Sequence, residues 1–140
     1  MGLTYANIEL VNGDDFTDAR RGRIGEDEVR QLTVHTMVDT GSIMLCINDT
    51  IKEALGLLHF GTRRSQLANG LIVELEVVGP VIVRYLDRDC STNAIVLPDD
   101  QEPLLGAIPM EEMDLYVHPS RNELLPMHPE GPLMSLKMNV

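Results

Sequence analysis

Val34-His35-Thr36-Met37-Val38-Asp39-Thr40-Gly41-Ser42 carries an apolar run directly into a carboxylate and a glycine turn. The run has the composition of a buried strand, and Asp39 stands at its end. An isolated charge in apolar surroundings is costly, so an acid here is either tied down by turn hydrogen bonds or kept for chemistry. Asp-Thr-Gly alone does not choose between these, because three common residues recur by chance. The choice depends on what surrounds the triplet.

Upstream, Tyr5 to Val11 alternates loosely, contains β-formers and breaks at Asn12-Gly13, the pattern of a strand with a turn behind it. Asp14 to Arg30 is charged and poor in apolar residues, and an exposed loop or splayed hairpin is expected there. Gln31 to Val38 is the second expected strand. Downstream, Ser42 to Ile47 is apolar and is expected to be buried. Asn48 to Leu58 reads as a short helix: Thr50 and Glu53 have capping-box spacing, Ile51, Ala54, Leu55 and Leu58 share a face, and Gly56 is a stop signal.

Leu71–Val78 and Val81–Leu86 read as two strands parted by a Gly79-Pro80 turn. In the first, Leu71, Val73, Leu75 and Val77 share one face, and Glu74 and Glu76 point the other way. Ala94 to Leu97 is another short strand. Ile108 to Met113, with Pro near its start and acids in its first turn, is a second short helix. Leu115-Tyr116-Val117 is a last clear strand. Residues 1–118 are expected to form one domain. Residues 119–140, rich in Pro, Met and Asn, are expected to be a mobile or partner-bound tail. Short strands at this spacing point to a closed or sandwiched β core.

The 140 residues suffice for one domain with a real core, and 44% of them are hydrophobic. With no Trp and 4% aromatics, that core must be mostly Leu, Val, Ile and Met. Eleven Lys and Arg against 22 Asp and Glu give a formal charge of -11. This argues against nucleic acid, whose phosphates need basic partners, and against an anionic membrane surface. No run approaches the roughly 18 apolar residues of a spanning helix. A soluble cytoplasmic protein with two reduced thiols, Cys46 and Cys90, is expected.

Three signals stand in order along the chain. An apolar strand ends in Asp39-Thr40-Gly41-Ser42. A polar hairpin tip, Leu67-Ala68-Asn69-Gly70, leads into a strand. Leu104-Leu105-Gly106 precedes a short helix. This order resembles the retropepsin-like aspartic proteases, most closely the small bacterial members with one Asp-Thr-Gly per chain, over about Gln31 to Pro119. The resemblance implies a mostly β, retropepsin-like closed barrel (the acid protease fold) with one or two short helices. It also implies a homodimer in which each subunit gives one Asp.

By the same resemblance Asp39 is the catalytic residue, acting on an extended peptide or unfolded protein without a cofactor. Thr40 would bond its counterpart across the dimer. Gly41 would let substrate backbone come close, and Ser42 would sit near the carboxylate. Leu104 and Leu105 would pack under the active-site loop, with Gly106 turning the chain. Leu67, Ala68, Asn69 and Gly70 would form the tip of a flap that closes over the peptide.

The other reactive residues point elsewhere. His35, His59, His118 and His128 are spread out with no metal-ligand spacing, and no metal site is expected. Cys46 lacks a recognisable base, and Ser42 lacks the Gly-x-Ser-x-Gly elbow of a serine nucleophile. An alternative to the peptidase is a non-catalytic dimeric domain of the same fold that grips peptides or a partner protein. Ala107, standing where retroviral chains carry Arg, motivates it.

Overall fold

Thr4–Asn12 (β1) alternates buried and exposed side chains along its first half and then buries Leu10, Val11 and Asn12 in succession. A half-covered strand that becomes fully covered needs neighbours on both edges, and β1 has them. The computed structural model in which this is seen describes residues 2–138. Met1 and the last two residues of the expected tail, 139–140, lie outside the described residues.

On one edge β1 pairs antiparallel with Gln31–Val38 (β2), with Ile8 opposite Val34. On the other, Glu9–Asn12 pairs with Val81–Arg84 of the long strand Ile72–Tyr85 (β5). From β2 the sheet continues through Leu104–Leu105 (β7), Leu45–Ile47 (β3) and Arg88–Val96 (β6), and so back to β5. The ladders therefore return to where they began. His59–Gln66 (β4) pairs only with the first half of β5 and projects beyond this ring as a hairpin. The protein is mostly β. Its main core is aliphatic, with Ile8, Leu10, Leu45, Ile47, Leu55 and Leu105 almost wholly enclosed.

Asp14–Arg30 is not a loop or hairpin. Gly13–Arg20 forms helix α1, followed by a 3-10 turn at Glu26–Glu28. Asn12 caps α1, its side chain accepting from the Asp15 amide at 2.9 Å, while its own amide group donates to Leu55 O at 2.7 Å. The helix owes its place to capping and charge rather than to an apolar stripe. Asp15 accepts from the Arg30 amide at 3.0 Å and from its guanidinium at 2.8 and 3.0 Å.

Those guanidinium hydrogen bonds hold the Asp15 carboxyl below its ordinary range; burial opposes them, and the Arg30 amide and charge assist. A carboxyl depressed in the fold contributes stability that is present above its unfolded value and lost as pH falls through the folded one. Asp15→Asn is expected to lower Tm by roughly 5 °C at neutral pH. The gap to wild type should close on acidification below the carboxylate range; a gap independent of pH would contradict the pair's role.

Asp49–Leu55 (α2) is the expected helix, ended at Gly56, but its cap is Asn48 rather than Thr50, accepting from the Ile51 amide at 3.0 Å. Ile51 and Leu55 face the core, whereas Ala54 and Leu58 are exposed. Gly79-Pro80 does not end a strand. It is a bulge inside β5, where the register against β6 slips between Val78 and Val81. Ile43, expected to be buried, is exposed.

Ala107–Glu112 (α3) and Leu115–His118 (β8) fall where expected. Glu123–Pro126 (β9), in the stretch expected to be a tail, pairs with β8 and buries Leu124 in the main core. Tyr85 Oη donates to Leu124 O at 2.8 Å, and the buried Arg88 donates to the carbonyls of Met113 and His128. The segment is thus held to the body as far as Leu133, whose amide donates to Asp114 Oδ2 at 3.2 Å. Among the described residues no helix is long and apolar enough to cross a membrane.

Candidate active site

β2 ends at Val38, and its last residues run parallel to β7, Met37 beside Leu104 and Val38 beside Leu105. The Asp39 amide donates to Leu105 O at 3.0 Å, which fixes where the carboxylate leaves the sheet. The chain then loops back into β3, which pairs with β7 from the other side, Cys46 opposite Leu104. The pair Leu104-Leu105 is therefore inserted between the two strands that the Asp39 loop connects. Leu105 is enclosed in the main core, and Leu104 packs in a smaller cluster with Cys46, Ile95 and Leu97.

The far side of the loop is bonded to α3. The Ala107 amide donates to Ser42 O at 2.8 Å and the Ile108 amide to Ile43 O at 2.9 Å. These contacts bring the two segments so close that a Cβ on Gly106 would lie 2.7 Å from Ile43 C and 2.8 Å from Ile43 O. Backbone cannot yield there as a side-chain tip would. Gly106→Val is expected to cost about 3 kcal/mol by urea denaturation; a loss under about 1 kcal/mol would contradict the close approach.

Asp39 itself is half-buried. Gly41 N donates to Oδ1 at 2.9 Å and Ser42 Oγ to Oδ2 at 3.0 Å, while the Ser42 amide donates to Asp39 O at 3.1 Å. The carboxylate is thereby oriented by its own loop, with one donor on each oxygen. An ionised carboxylate offers about four acceptor positions, so room is left for a further donor. Thr40 is exposed at the turn.

Below Asp39, burial first and then the Asp39 charge push the Cys46 thiol up to about 11, so it stays protonated. Burial and the neighbouring Glu112 push Cys90 to about 12. Neither is a thiolate at neutral pH, and neither suits nucleophilic catalysis.

The projecting hairpin lies over this loop. At its tip Gly70 N donates to Leu67 O and Leu67 N to Leu71 O, both at 2.9 Å, and Asn69 Oδ1 accepts from the Leu71 amide at 2.9 Å. Gly70 turns the chain with φ +85°, a backbone region that favours glycine. The base of the hairpin is pinned to α2. Glu76 accepts from Lys52 Nζ and pairs with His59 Nδ1, each at 2.7 Å. The Lys52 bond, followed by that of His59, holds the Glu76 carboxyl below its ordinary range against burial.

Between loop and hairpin is an open cavity of about 740 Å³. Asp39, Gly41 and Ser42 line one side; Arg63, Ser65, Leu67, Ala68 and Asn69 line the other. Its floor is apolar, made by Met44, Cys46, Leu75, Ile95, Leu97 and Leu104. Of the residues singled out from the sequence, Asp39, Gly41, Ser42, Leu67, Ala68, Asn69 and Leu104 meet at this cavity. Thr40, Leu105, Gly106 and Gly70 stand outside its lining. The floor residues other than Leu104, and the β4 arginines, were not anticipated. Leu75 did share a face with Val73 and Val77, but nothing said what that face would cover. Among the described residues no group of three or more His, Cys, Asp or Glu is placed to hold a metal ion.

No protein-family model matches the sequence, and no curated protein matches it. Among solved structures, the chain is similar to the crystal structure of a retropepsin-like aspartic protease from Rickettsia conorii. The identity is 18% and the TM-score 0.49, over 89% of this chain and 79% of that one.

Proposed function

We propose that the protein is an aspartic endopeptidase of the retropepsin type, working as a cytoplasmic homodimer with a closed β-barrel in each subunit. One observation carries this reading. An oriented, half-buried carboxylate with acceptor positions to spare lines the same cavity as the tip of an overhanging hairpin. That cavity has an apolar floor, as a groove for an extended peptide requires.

The charged residues lining the cavity are Asp39, Arg63 and Arg64. One carboxylate is half of what water-activated peptide hydrolysis needs. Two carboxylates in near contact cannot both ionise comfortably and share a proton. The ionised member takes a proton from the water between them, and the protonated member donates to the scissile carbonyl. The water then attacks, forming a tetrahedral intermediate with no covalent enzyme adduct. The second carboxylate comes from Asp39 of another copy.

The surface beside the loop supports such a pairing. Ile43 and Ile108 are 63% and 48% exposed; Ile43 lies four residues after Asp39, and the Ile108 amide is bonded to the Ile43 carbonyl. Leu133, Met134, Leu136 and Met138 of the C-terminal segment are exposed as well, and we assign them to the same interface. The hairpin would act as the lid over bound peptide, excluding water and adding strand-like hydrogen bonds. Two buried, unpaired thiols suit a reducing compartment.

The test is digestion of an unfolded protein across the acid-to-neutral range by wild type and by Asp39→Asn. Fragments from wild type alone support the reading. Equal peptide binding by both proteins without fragments would instead favour a non-catalytic peptide-binding domain.

A further inference from the structure

We infer that Arg63 is a specificity-determining residue that selects substrates carrying an acidic side chain on the flap side of the cleft. The inference rests on the peptidase reading for its chemistry, but its own observations are separate. In the β4–β5 hairpin Arg63 stands opposite Leu75, and Arg64 opposite Glu74. Cross-strand partners project from the same face of a pleated pair, and successive residues from opposite faces. Leu75 lies on the cavity floor, packed with Cys46, Val77, Ile95 and Leu97. Arg63 therefore projects toward the cavity floor, whereas Arg64, which also borders the cavity, projects from the face that carries Glu74.

The charge of Arg63 is unspent. Among the described residues its guanidinium makes no ion pair, as is also true of Arg20, Arg21 and Arg64, whereas Arg23, Arg30, Arg84, Arg88 and Arg121 each pair with a carboxylate; of the four unpaired arginines, only Arg63 lines the cavity from the face that carries Leu75. In a chain of net charge -11 a cation free of acids, on the wall of the cleft that holds Asp39, is out of keeping with the overall charge. Its cross-strand partner is a leucine, so nothing on the hairpin neutralises it. A guanidinium offers a planar fork of donors suited to a carboxylate. The acid in the cleft, Asp39, lies on the opposite wall and would repel a substrate carboxylate placed beside it. An acidic side chain is thus directed to the hairpin. The overall negative charge favours the contrary result, a general preference for basic peptides, so the outcome discriminates.

The experiment is cleavage of a peptide library by wild type, Arg63→Gln, Arg63→Glu and Arg64→Gln, combined with binding of fluorescent acidic, neutral and basic peptides to the same proteins. For wild type, kcat/KM is expected to be about tenfold higher for peptides with Glu at one position than for their Gln counterparts. That ratio should fall toward one in Arg63→Gln and invert in favour of Lys in Arg63→Glu. Arg64→Gln should retain it.

Cleavage without an acid preference, or with one that Arg64 controls equally, overturns the assignment and leaves the peptidase intact. Absence of cleavage, with acidic peptides still bound best in an Arg63-dependent way, sinks the catalytic reading and supports the selection. Absence of both removes the two together.

Discussion

Asp39→Asn is expected to reduce peptide cleavage by about 1,000-fold or more while leaving the fold intact. The retained fold follows from the structure, and the lost cleavage from the proposed dyad. The donors that orient the side chain, Gly41 N at 2.9 Å and Ser42 Oγ at 3.0 Å, can be received by the amide oxygen and by small rotations of the hydroxyl. The Asp39 amide keeps its bond to Leu105 O whatever side chain follows. No core packing rests on the carboxylate, so thermal stability should change little. Chemistry, in contrast, loses both of its essentials. An amide does not remove a proton from water, and the two facing amides of the proposed dimer hold no shared proton. Cleavage by wild type should be greatest at mildly acid pH and decline as the shared proton leaves. Residual cleavage within tenfold of wild type would show that another group does the work.

Replacing Ile108 or Ile43 by Glu is expected to separate the subunits and abolish activity together. If the two copies are related by a two-fold axis that brings Asp39 against Asp39, residues on the same loop lie close to that axis and meet their own counterparts. Ile43 belongs to the loop, and Ile108 is bonded to it through its amide at 2.9 Å. Both side chains are exposed in the single chain although aliphatic. A single Glu substitution then sets two like charges face to face in place of an apolar contact. The dimer dissociation constant should rise by about 100-fold or more. Sedimentation should show the 15.6 kDa chain alone at concentrations where wild type is paired. A variant that stays dimeric and active would place the interface elsewhere.

The parts of the fold that were legible in the sequence are those whose physics is local. Gln31–Val38 reads as a strand, and buries Val34, Thr36 and Val38 on one face; Leu104-Leu105 reads as an aliphatic pair under the loop, though not as the strand it forms. Gly56 and Asn69-Gly70 mark turns through their backbone preferences. Three elements were not legible, each for a different reason. Helix α1 has almost no apolar face, and is set by the Asn12 cap and the Asp15–Arg30 pair, whose partners are 15 residues apart. Strand β4, His59-Phe-Gly-Thr-Arg-Arg-Ser-Gln66, projects from the ring with both faces largely exposed, so it has no alternation to detect. Gly79-Pro80 carries turn chemistry but serves as a bulge, because pairing with β6 resumes two residues on.

The site divides in the same way. The loop around Asp39 could be named from neighbouring residues, since the hydrogen bonds of its carboxylate are made within three positions. The cavity floor could not. Met44, Leu75 and the pair Ile95 and Leu97 come from three separate segments, and no linear pattern shows that they gather apart from the main core. Arg63 is not legible for the same reason as β4, because its orientation follows from a register that only the hairpin reveals.

The most direct test of the central claim is the separation of the two Asp39 carboxylates in a crystal structure of the assembled protein. In the proposed dimer their nearest oxygens are expected to lie about 3–5 Å apart, close enough to share a proton and hold one water. A separation beyond about 10 Å, or a chain that remains single at the concentrations used for cleavage, would contradict that claim.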